Sequence, residues 1–344
     1  MNAPAAVARA QQELVGLAID SPDVATFVAA ADDVVGRVLP HDGSCWHTMD
    51  PATLLITGHT TLNLPNRFPL LAANEYLAED VNRFADLARA PHPVGVLTRA
   101  TGGRPERSLR WREMLRPNGF DAELRMSFVD RRSCSGSLIL VRDRGRPDFT
   151  EDEINAAGLL SGVCARAVRR IQLRTATTRG DLDAPGVLVL DAADEIDSAS
   201  ASALNWLERF DGQLPPVVSS VVATARDGRT SRARVRSPDG QWWVVHGSRL
   251  KGDRQGRASV IVEAARPDDL APLIVEAYGL SRREQAVVGM VLRGASTRDI
   301  SRALVISPYT VQEHLTSIFD KTGVRSRAEL VGQVFFRHVL PGID

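Results

Sequence analysis

The sequence is poor in lysine, in cysteine and in long apolar runs. Only two of its 42 basic residues are lysines. Its three cysteines, Cys45, Cys134 and Cys164, are widely spaced, which argues against a disulfide framework or a zinc site. No run approaches 18 apolar residues, and the N-terminus lacks the basic and apolar regions of a secretory signal. We therefore expect no membrane association, and the cytoplasm is the expected compartment.

The chain has no net charge, because 42 basic residues balance 42 acidic ones. Any affinity for nucleic acid must therefore come from a local patch rather than from the whole protein. A length of 344 residues predicts two or three domains. Polar, proline-containing segments at 175–186 and 266–272 are typical of linkers. They predict domains at 1–174, 187–265 and 273–344.

The first segment alternates helix-like and strand-like patterns. Thr150 and Glu153 have the spacing of a capping box at the start of the last of its helices. The periodicity predicts helices at 23–38, 74–89 and 150–173, and strands at 44–47, 53–58, 123–129 and 135–142. This order resembles the GAF domain over roughly residues 20–172. The resemblance implies a six-stranded antiparallel sheet that senses a small molecule.

The second segment also mixes strands with short helices. Ser237-Pro238-Asp239-Gly240 is typical of a hairpin turn between two strands. The predicted strands are 186–190, 232–236, 242–250 and 258–264, and the predicted helices are 198–208 and 217–225. This layout resembles the PAS domain, another sensor fold. Trp206, Trp242 and Trp243 are either core residues or part of a cavity wall.

The third segment contains signals for four short helices. Capping-box spacing occurs at the first helix, Ser281 with Glu284, and at the last, Ser326 with Glu329. Ser296 caps the second helix, with Asp299 at its third helical position. Ser307 followed by Pro308 is a cap and a first helical residue. The turn at 305–307 is short enough for a helix-turn-helix, whose later helix enters the DNA major groove. We expect Ile300, Ala303 and Leu304 to point inward.

The helix after Pro308 has two distinct faces. Val311, Leu315 and Ile318 recur at helical spacing and predict a buried face. The outward residues Gln312, Glu313, Thr316 and Asp320 carry polar side chains suited to base edges.

The segment 278–334 resembles the LuxR-type helix-turn-helix. The matching residues are LSRRE at 280–284, Val288, Gly294, Ser296, Ile300, Leu304, IS at 306–307, TV at 310–311, His314, Ile318, Lys321, GV at 323–324 and SRAE at 326–329. The resemblance implies that Gln312, Glu313 and Thr316 read bases. We expect Ser296, Thr310, Lys321, Arg325 and Arg327 to contact phosphates. Gln312 replaces the usual lysine and Asp299 the usual glutamate, and the family's last helix, here about 327–337, commonly dimerises.

Two stretches of the first segment are candidates for a ligand pocket. On a strand, Cys45 and His47 share one face and Trp46 takes the other. This cluster is either a packed strand with a satisfied histidine, a pocket wall, or a metal or haem ligand. Between residues 110 and 126, apolar side chains including Trp111 and Phe120 alternate with arginines including Arg125. The predicted pocket residues are Trp46, His47, Trp111, Phe120 and Arg125.

The fold class is therefore α+β: a GAF-like antiparallel-sheet domain, a PAS-like α/β domain and an all-α four-helix helix-turn-helix domain. No catalytic motif is present, so we expect no catalytic residue, no metal and no cofactor. The predicted function is a DNA-binding transcription regulator that responds to a small-molecule ligand. Its expected partners are double-stranded DNA and a second copy, with RNA polymerase a further candidate. The alternative is an interaction scaffold or anti-activator that no longer reads DNA.

Overall fold

The structure is a computed structural model that describes residues 3–173, 184–229, 231–250, 256–266, 269–270, 273 and 280–331. These residues fall into two compact units. The first is drawn from Met1–Gln172, Leu182–Val235 and Trp243–Glu263. The second is drawn from Leu173–Asp181, Arg236–Trp242 and Ala264–Asp344.

The first unit begins with helices packed on an antiparallel sheet. Its helices are α1 (Ala3–Asp20), α2 (Val24–Gly36), α3 (Phe68–Tyr76), α4 (Phe84–Leu87), α5 (Leu97–Ala100) and α6 (Glu151–Gln172). Its strands are β1 (Gly43–Met49), β2 (Ile56–Leu62), β3 (Val94–Val96), β4 (Phe120–Asp130) and β5 (Ser133–Asp143). The described strands number five, in the order β2-β1-β5-β4-β3, where the GAF resemblance implied six. Short 3-10 and π turns at 105–107, 111–115 and 116–118 precede β4.

The pleat of this sheet separates two apolar clusters. Trp46, Leu124 and Leu140 point to one face and pack with α1, α2 and α6. Cys45 and Ile139 point to the other face and pack with α3 and α4. Successive side chains of a strand point to opposite faces, so the central strands are buried on both sides.

Two predicted elements of this part are wrong in extent. The helix expected at 74–89 is split into α3 and α4, because side chains capture the intervening backbone. Glu75 accepts the Phe84 N–H at 2.6 Å, and Asn82 has a left-handed φ of 56°. The strand expected at 53–58 begins only at Ile56, because Asp50 closes a turn by accepting the Ala52 N–H.

The described residues between 186 and 264 contain β6 (Gly186–Leu190), β7 (Ile196–Ala199), α7 (Ala201–Glu208), α8 (Pro216–Arg226), β8 (Ser231–Arg236), β9 (Trp242–Arg249) and β10 (Ala258–Ala264). These strands form a second sheet, in which β6 pairs antiparallel with β7 and with β10. Its strand order, β7-β6-β10-β9-β8, repeats that of the first sheet. The helix expected at 198–208 starts later, because Ser200 caps it and the preceding residues pair with β6. Trp206, Trp242 and Trp243 are core residues.

Helix α3 packs against α8, which joins the two sheets of the first unit. The Asp50 carboxylate accepts hydrogen bonds from the Arg234 guanidinium at 2.7 and 2.9 Å and from the Arg234 backbone N–H at 2.8 Å. Both residues are buried. The hydroxyl of Ser220 on α8 donates to the Ile56 carbonyl at 2.7 Å.

The second unit contains the predicted helical bundle. Its helices are α9 (Arg282–Leu292), α10 (Thr297–Leu304) and α11 (Pro308–Thr322). Ser281 and Ser296 both complete capping boxes, and Ser307 caps α11. Ser326 accepts the Glu329 N–H, and a helical stretch follows to residue 331. The rest of the expected dimerisation helix lies outside the described residues.

The core of this bundle is apolar. Ile300, Val311, Leu315 and Ile318 are buried together with residues of α9. Ala303, which we expected to point inward, is exposed. The fold class predicted for the three parts of the chain is confirmed.

None of the described helices is long and apolar enough to cross a membrane.

Candidate DNA interface and ligand cavity

Helix α11 presents a polar stripe to solvent. Gln312, Glu313 and Thr316 are exposed, while the opposite face is buried. A shallow depression runs along this stripe and is lined by Tyr309, Gln312, Glu313, Thr316, Ser317 and Asp320. The buried face fixes which side chains point outward, so the stripe is a consequence of packing.

The turn before α11 is tight and strained. Val305 ends α10 with φ 53° and ψ 51°, a left-handed conformation that is unfavourable for a β-branched residue. Its side chain is 89% exposed. Ser307 then accepts the Thr310 N–H at 3.0 Å, and its hydroxyl lies 2.9 Å from the Thr310 hydroxyl.

A buried carboxylate ties α11 to α9. The Lys321 ammonium donates to both oxygens of Glu284 at 2.7 and 2.8 Å, and the Ser317 hydroxyl donates to Glu284 at 2.6 Å. The Ser281 backbone N–H also donates to this carboxylate. Burial alone would raise the pKa of Glu284, but these donors lower it to about 2. Glu284 therefore fixes the position of the exposed stripe.

The Arg327 side chain is also held by hydrogen bonds within the domain. Its guanidinium donates to the Ala295 carbonyl at 3.0 Å and to the Thr297 hydroxyl at 2.9 Å. Arg325 is exposed and uses its backbone N–H to bind Glu329. From residue 279 to 344 the sequence holds nine arginines or lysines and six acids, which is a modest positive excess.

A cavity opens on the face of the first sheet that carries α3. About 70 Å³ is available to the centres of water-sized molecules, which is room for a few waters or one small ligand. Its apolar lining consists of Leu64, Pro65, Phe68, Leu71, Met114, Leu115, Phe120, Ile139 and Val141. Its polar lining consists of Cys45, His59, Thr61, Asn66, Arg67, Arg110, Asn118 and Glu123.

Two buried arginines and two buried glutamates lie at and behind the cavity wall. Arg110 binds Glu123 in a bidentate fashion, with its Nη2 2.7 Å and its Nε 2.9 Å from the carboxylate. Arg125 binds Glu75 at 2.9 Å and Glu123 at 3.3 Å. Burial opposes ionisation, but Arg110 and Arg125 hold the pKa of Glu123 below its usual range. The wall therefore offers paired donors and acceptors rather than one uncompensated charge.

The thiol of Cys45 is neutral at pH 7, because burial raises its pKa to about 12. It lies 3.1 Å from Nε2 of His47, whose Nδ1 lies 2.9 Å from the Ser137 hydroxyl. Burial also lowers the pKa of His47 well below its usual range. Both groups are uncharged, so they do not form the thiolate–imidazolium pair of a cysteine nucleophile.

Comparison with known proteins identifies the C-terminal segment. Residues 279–334 match the luxR family of bacterial regulatory proteins. The described part of this match, residues 280–331, contains the helices and the short turn of a luxR-family helix-turn-helix domain. The match covers 56 of the 344 residues.

Two curated relatives align with this luxR-family domain. The monoamine regulon transcriptional regulator of Klebsiella aerogenes is 48% identical over 56 residues, which is 16% of this chain and 25% of that protein. A predicted HTH-type transcriptional regulator of Mycobacterium tuberculosis is 44% identical over 54 residues, which is 16% of this chain and 6% of that protein. The aligned part thus spans a quarter or less of each relative.

Two solved structures are weakly similar to the chain. Escherichia coli SdiA is 12% identical with a TM-score of 0.34, and covers 96% of this chain and 97% of its own. The GAF domain of a phosphoenolpyruvate-protein phosphotransferase from Coxiella burnetii is 13% identical with a TM-score of 0.30. It covers 49% of this chain and 97% of its own. TM-scores this low assign neither a fold nor a ligand to the chain.

Some of the residues proposed to contact DNA have exposed side chains, and others already make contacts within the domain. Gln312, Glu313, Thr316 and Arg325 are exposed. Ser296 is exposed but caps α10, Thr310 is half-buried beside Ser307, and Lys321 and Arg327 make the contacts described above. The sequence marks Glu284 only as a cap and does not predict its ion pair, because residues 284 and 321 meet only after the bundle has packed.

The cavity includes only Phe120 of the five predicted pocket residues. Trp46 lies on the other face of the sheet and donates to Asp32 at 2.8 Å. His47 and Trp111 are buried in the cluster beside the cavity. Arg125 is enclosed behind Glu123 and against Phe84. The contributions of His59 and of the loop at 64–67 were missed, since nothing in their local sequence marks them.

Proposed function

We propose that this protein is a sequence-specific, DNA-binding transcription regulator that works as a homodimer in the cytoplasm and responds to a small molecule. The exposed stripe of Gln312, Glu313 and Thr316 on a luxR-family helix-turn-helix domain carries this proposal. The same family supports DNA as the partner of that stripe. RNA polymerase is a further candidate partner.

The chemistry of the stripe suits base reading. A glutamine can bond the N6 and N7 atoms of adenine, and a glutamate can accept from N4 of cytosine. Arg325, the cap Ser296 and Thr310 in the first turn of α11 are the proposed phosphate contacts, since they lie near helix ends. Lys321 already binds Glu284, and Arg327 already binds Ala295 and Thr297. They would contact phosphates through the N–H groups that these bonds do not use. The modest charge excess of one domain favours a dimer on two half-sites.

The DNA proposal is tested by selecting sites from fragmented genomic DNA at low salt, using the full-length protein. Gln312→Ala and Glu313→Ala should each weaken the selected site by roughly 5- to 150-fold relative to unrelated DNA, the loss of about 1–3 kcal/mol of base discrimination. Gln213→Ala, which changes an exposed glutamine between α7 and α8, should leave binding unchanged. A wild-type protein that selects no sequence would refute the proposal and favour a scaffold that binds other proteins.

The ligand proposal rests on the cavity beside α3. Its apolar lining and its Arg110–Glu123 wall suit a small molecule with an apolar body and one hydrogen-bonding group. Met114→Trp should fill this cavity without adding a charge. Native mass spectrometry of gently purified protein should show an extra non-protein mass that Met114→Trp removes. A mass bound equally by both proteins would place the ligand elsewhere.

A further inference from the structure

Helix α6 packs on the first sheet and on α1, but one narrow stripe of it faces solvent. At 100° per residue, Glu151, Asn155, Gly162, Arg166 and Arg170 fall within about 100° of one another, a single helix face. Leu159 lies in the middle of this stripe and is 59% exposed. We call this face the α6 stripe.

The α6 stripe has a protrusion beside a depression. Leu159 projects into solvent, whereas Gly158 and Gly162 have no side chain. A Cβ built on Gly158 would meet nothing within 4 Å, and one on Gly162 would meet atoms only at ordinary contact distance. The depression is therefore open at Gly158 and bordered at Gly162 by the Arg166 guanidinium, 3.5 Å from such a Cβ. Small residues let a second helix approach closely.

The charges of the α6 stripe are ordered along the helix. On the stripe itself, Glu151 lies in the first turn, and Arg166 and Arg170 lie toward the last turn. Glu151 also pairs with Arg99, and Arg166 with Asp130, in contacts that leave Glu151 and Arg166 exposed. A parallel second copy would place like charges together. An antiparallel copy would place the acidic end of each helix beside the basic end of the other.

A two-fold axis through the midpoint of the α6 stripe, between residues 160 and 161, is consistent with each of these features. It places Leu159 of each copy opposite Gly162 of the other, Asn155 opposite Arg166, and Glu151 opposite Arg170. Self-complementarity of this kind is what an isologous two-fold interface requires.

Helix α1 extends the same surface. Gln11 donates from its side chain to the Leu159 carbonyl at 2.8 Å, so this part of α1 lies beside the centre of the stripe. Val15 and Ile19 follow Gln11 at intervals of one turn and are 48% and 44% exposed. A partner helix seated on Leu159 would extend over this row.

We propose that two copies of the chain associate through α6 packed antiparallel on α6 of the partner, with α1 of each copy at the flank. This inference rests on the homodimer of the proposed function and names its interface. Two helices of 18 and 22 residues offer a face about 30 Å long. The proposal requires neither DNA nor a ligand.

The first test is the self-association of full-length protein by sedimentation over a range of concentrations. Leu159→Glu would place two carboxylates near the two-fold axis and should raise the dimer dissociation constant at least tenfold. Leu204→Glu is the matched control, because Leu204 on α7 is 49% exposed and lies outside the stripe. Equal dissociation constants for the two variants would overturn the proposed interface but not the dimer, whereas a monomeric wild type would overturn both.

The second test determines the orientation by cysteine cross-linking. In the antiparallel pair, residue 155 lies opposite residue 166 of the second copy. It lies about 16 Å along the helix axis from residue 155 of the second copy. Asn155→Cys with Arg166→Cys should therefore form a covalent dimer under mild oxidation, and Asn155→Cys alone should not. Efficient cross-linking by the single variant would indicate a parallel pair and overturn the proposal. The native cysteines are buried.

Discussion

The ion pair between Glu284 and Lys321 allows a test of how α11 is held in place. Glu284→Gln retains the capping box, since glutamine also serves at the third helical position, but it removes the negative charge. The variant therefore isolates the link between α9 and α11 from the cap. Loss of this link should loosen the helix that carries the exposed stripe.

The magnitude follows from the pKa. A fall of the pKa from 4.5 to about 2 corresponds to an upper bound of about 3–4 kcal/mol, at 1.36 kcal/mol for each unit of pKa. Lys321 is more than one third exposed, so solvent screening reduces the expected effect to about 1–2 kcal/mol. Because the folded pKa is depressed, this stabilisation is present above about pH 4.5 and is lost as the pH falls toward 2.

Hydrogen exchange of the full-length protein measures this effect locally. Amides in residues 308–322 should exchange roughly 5- to 30-fold faster in Glu284→Gln at pH 7, the equivalent of 1–2 kcal/mol. The difference should shrink at pH 3. Glu329→Gln is the matched control, because Glu329 also follows its capping serine by three residues, and its exposed carboxylate accepts the nearby Arg325 N–H. Unchanged exchange in Glu284→Gln, or an equal change in both variants, would refute the reasoning.

Three further predictions concern backbone strain, pH and the contact between the sheets. Val305→Gly should stabilise the turn before α11 by about 1 kcal/mol, because glycine tolerates a left-handed φ and the exposed valine side chain packs on little. Slower exchange in α10 and α11 would confirm this, and faster exchange would contradict it. Both ring nitrogens of His41 face acceptors, Leu39 O at 2.8 Å and Asp32 at 3.2 Å. Burial opposes protonation, but these bonds raise its pKa, so the first unit should lose thermal stability as the pH rises above about 6.5. His41→Gln should flatten that part of the pH profile, and an unaltered profile would exclude His41 as its cause. Arg234→Met should destabilise the first unit by about 3–5 kcal/mol, because it leaves Asp50 buried without its ion pair, and a denaturant midpoint equal to that of the wild type would contradict this.

Local sequence was sufficient to predict where helices begin, which of their faces are buried and where a hairpin turns. The caps at Ser281, Ser296 and Ser307 lie within three residues of the N–H groups that they bind, so their spacing alone predicted where the helices begin. The periodicity of α11 likewise identified its buried and exposed faces. The hairpin turn at 237–240 was predictable for the same reason, since its bond joins the Gly240 N–H to the Ser237 carbonyl.

Local sequence failed where distant residues compete for the backbone. The sequence pattern at 74–89 is helical. In the structure, however, the Glu75 carboxylate accepts the Phe84 N–H, and the Asp80 carboxylate accepts the Arg110 N–H. Those bonds form only when the segment folds over the sheet, and they replace the bonds of a continuous helix. The cavity was missed for a similar reason: alternation predicted that Trp46 and Cys45 face opposite ways, but not which face has the open space.

The sequence by itself thus determined the α+β class, the helix-turn-helix and the stripe of α11, because short-range periodicity and capping control these features. Only the tertiary structure decided which side chains surround the cavity, that Lys321 pairs with Glu284, and that the two sheets share one strand order. Each of these depends on side chains tens of residues apart, whose meeting is set by the packing of whole elements rather than by their neighbours in the chain.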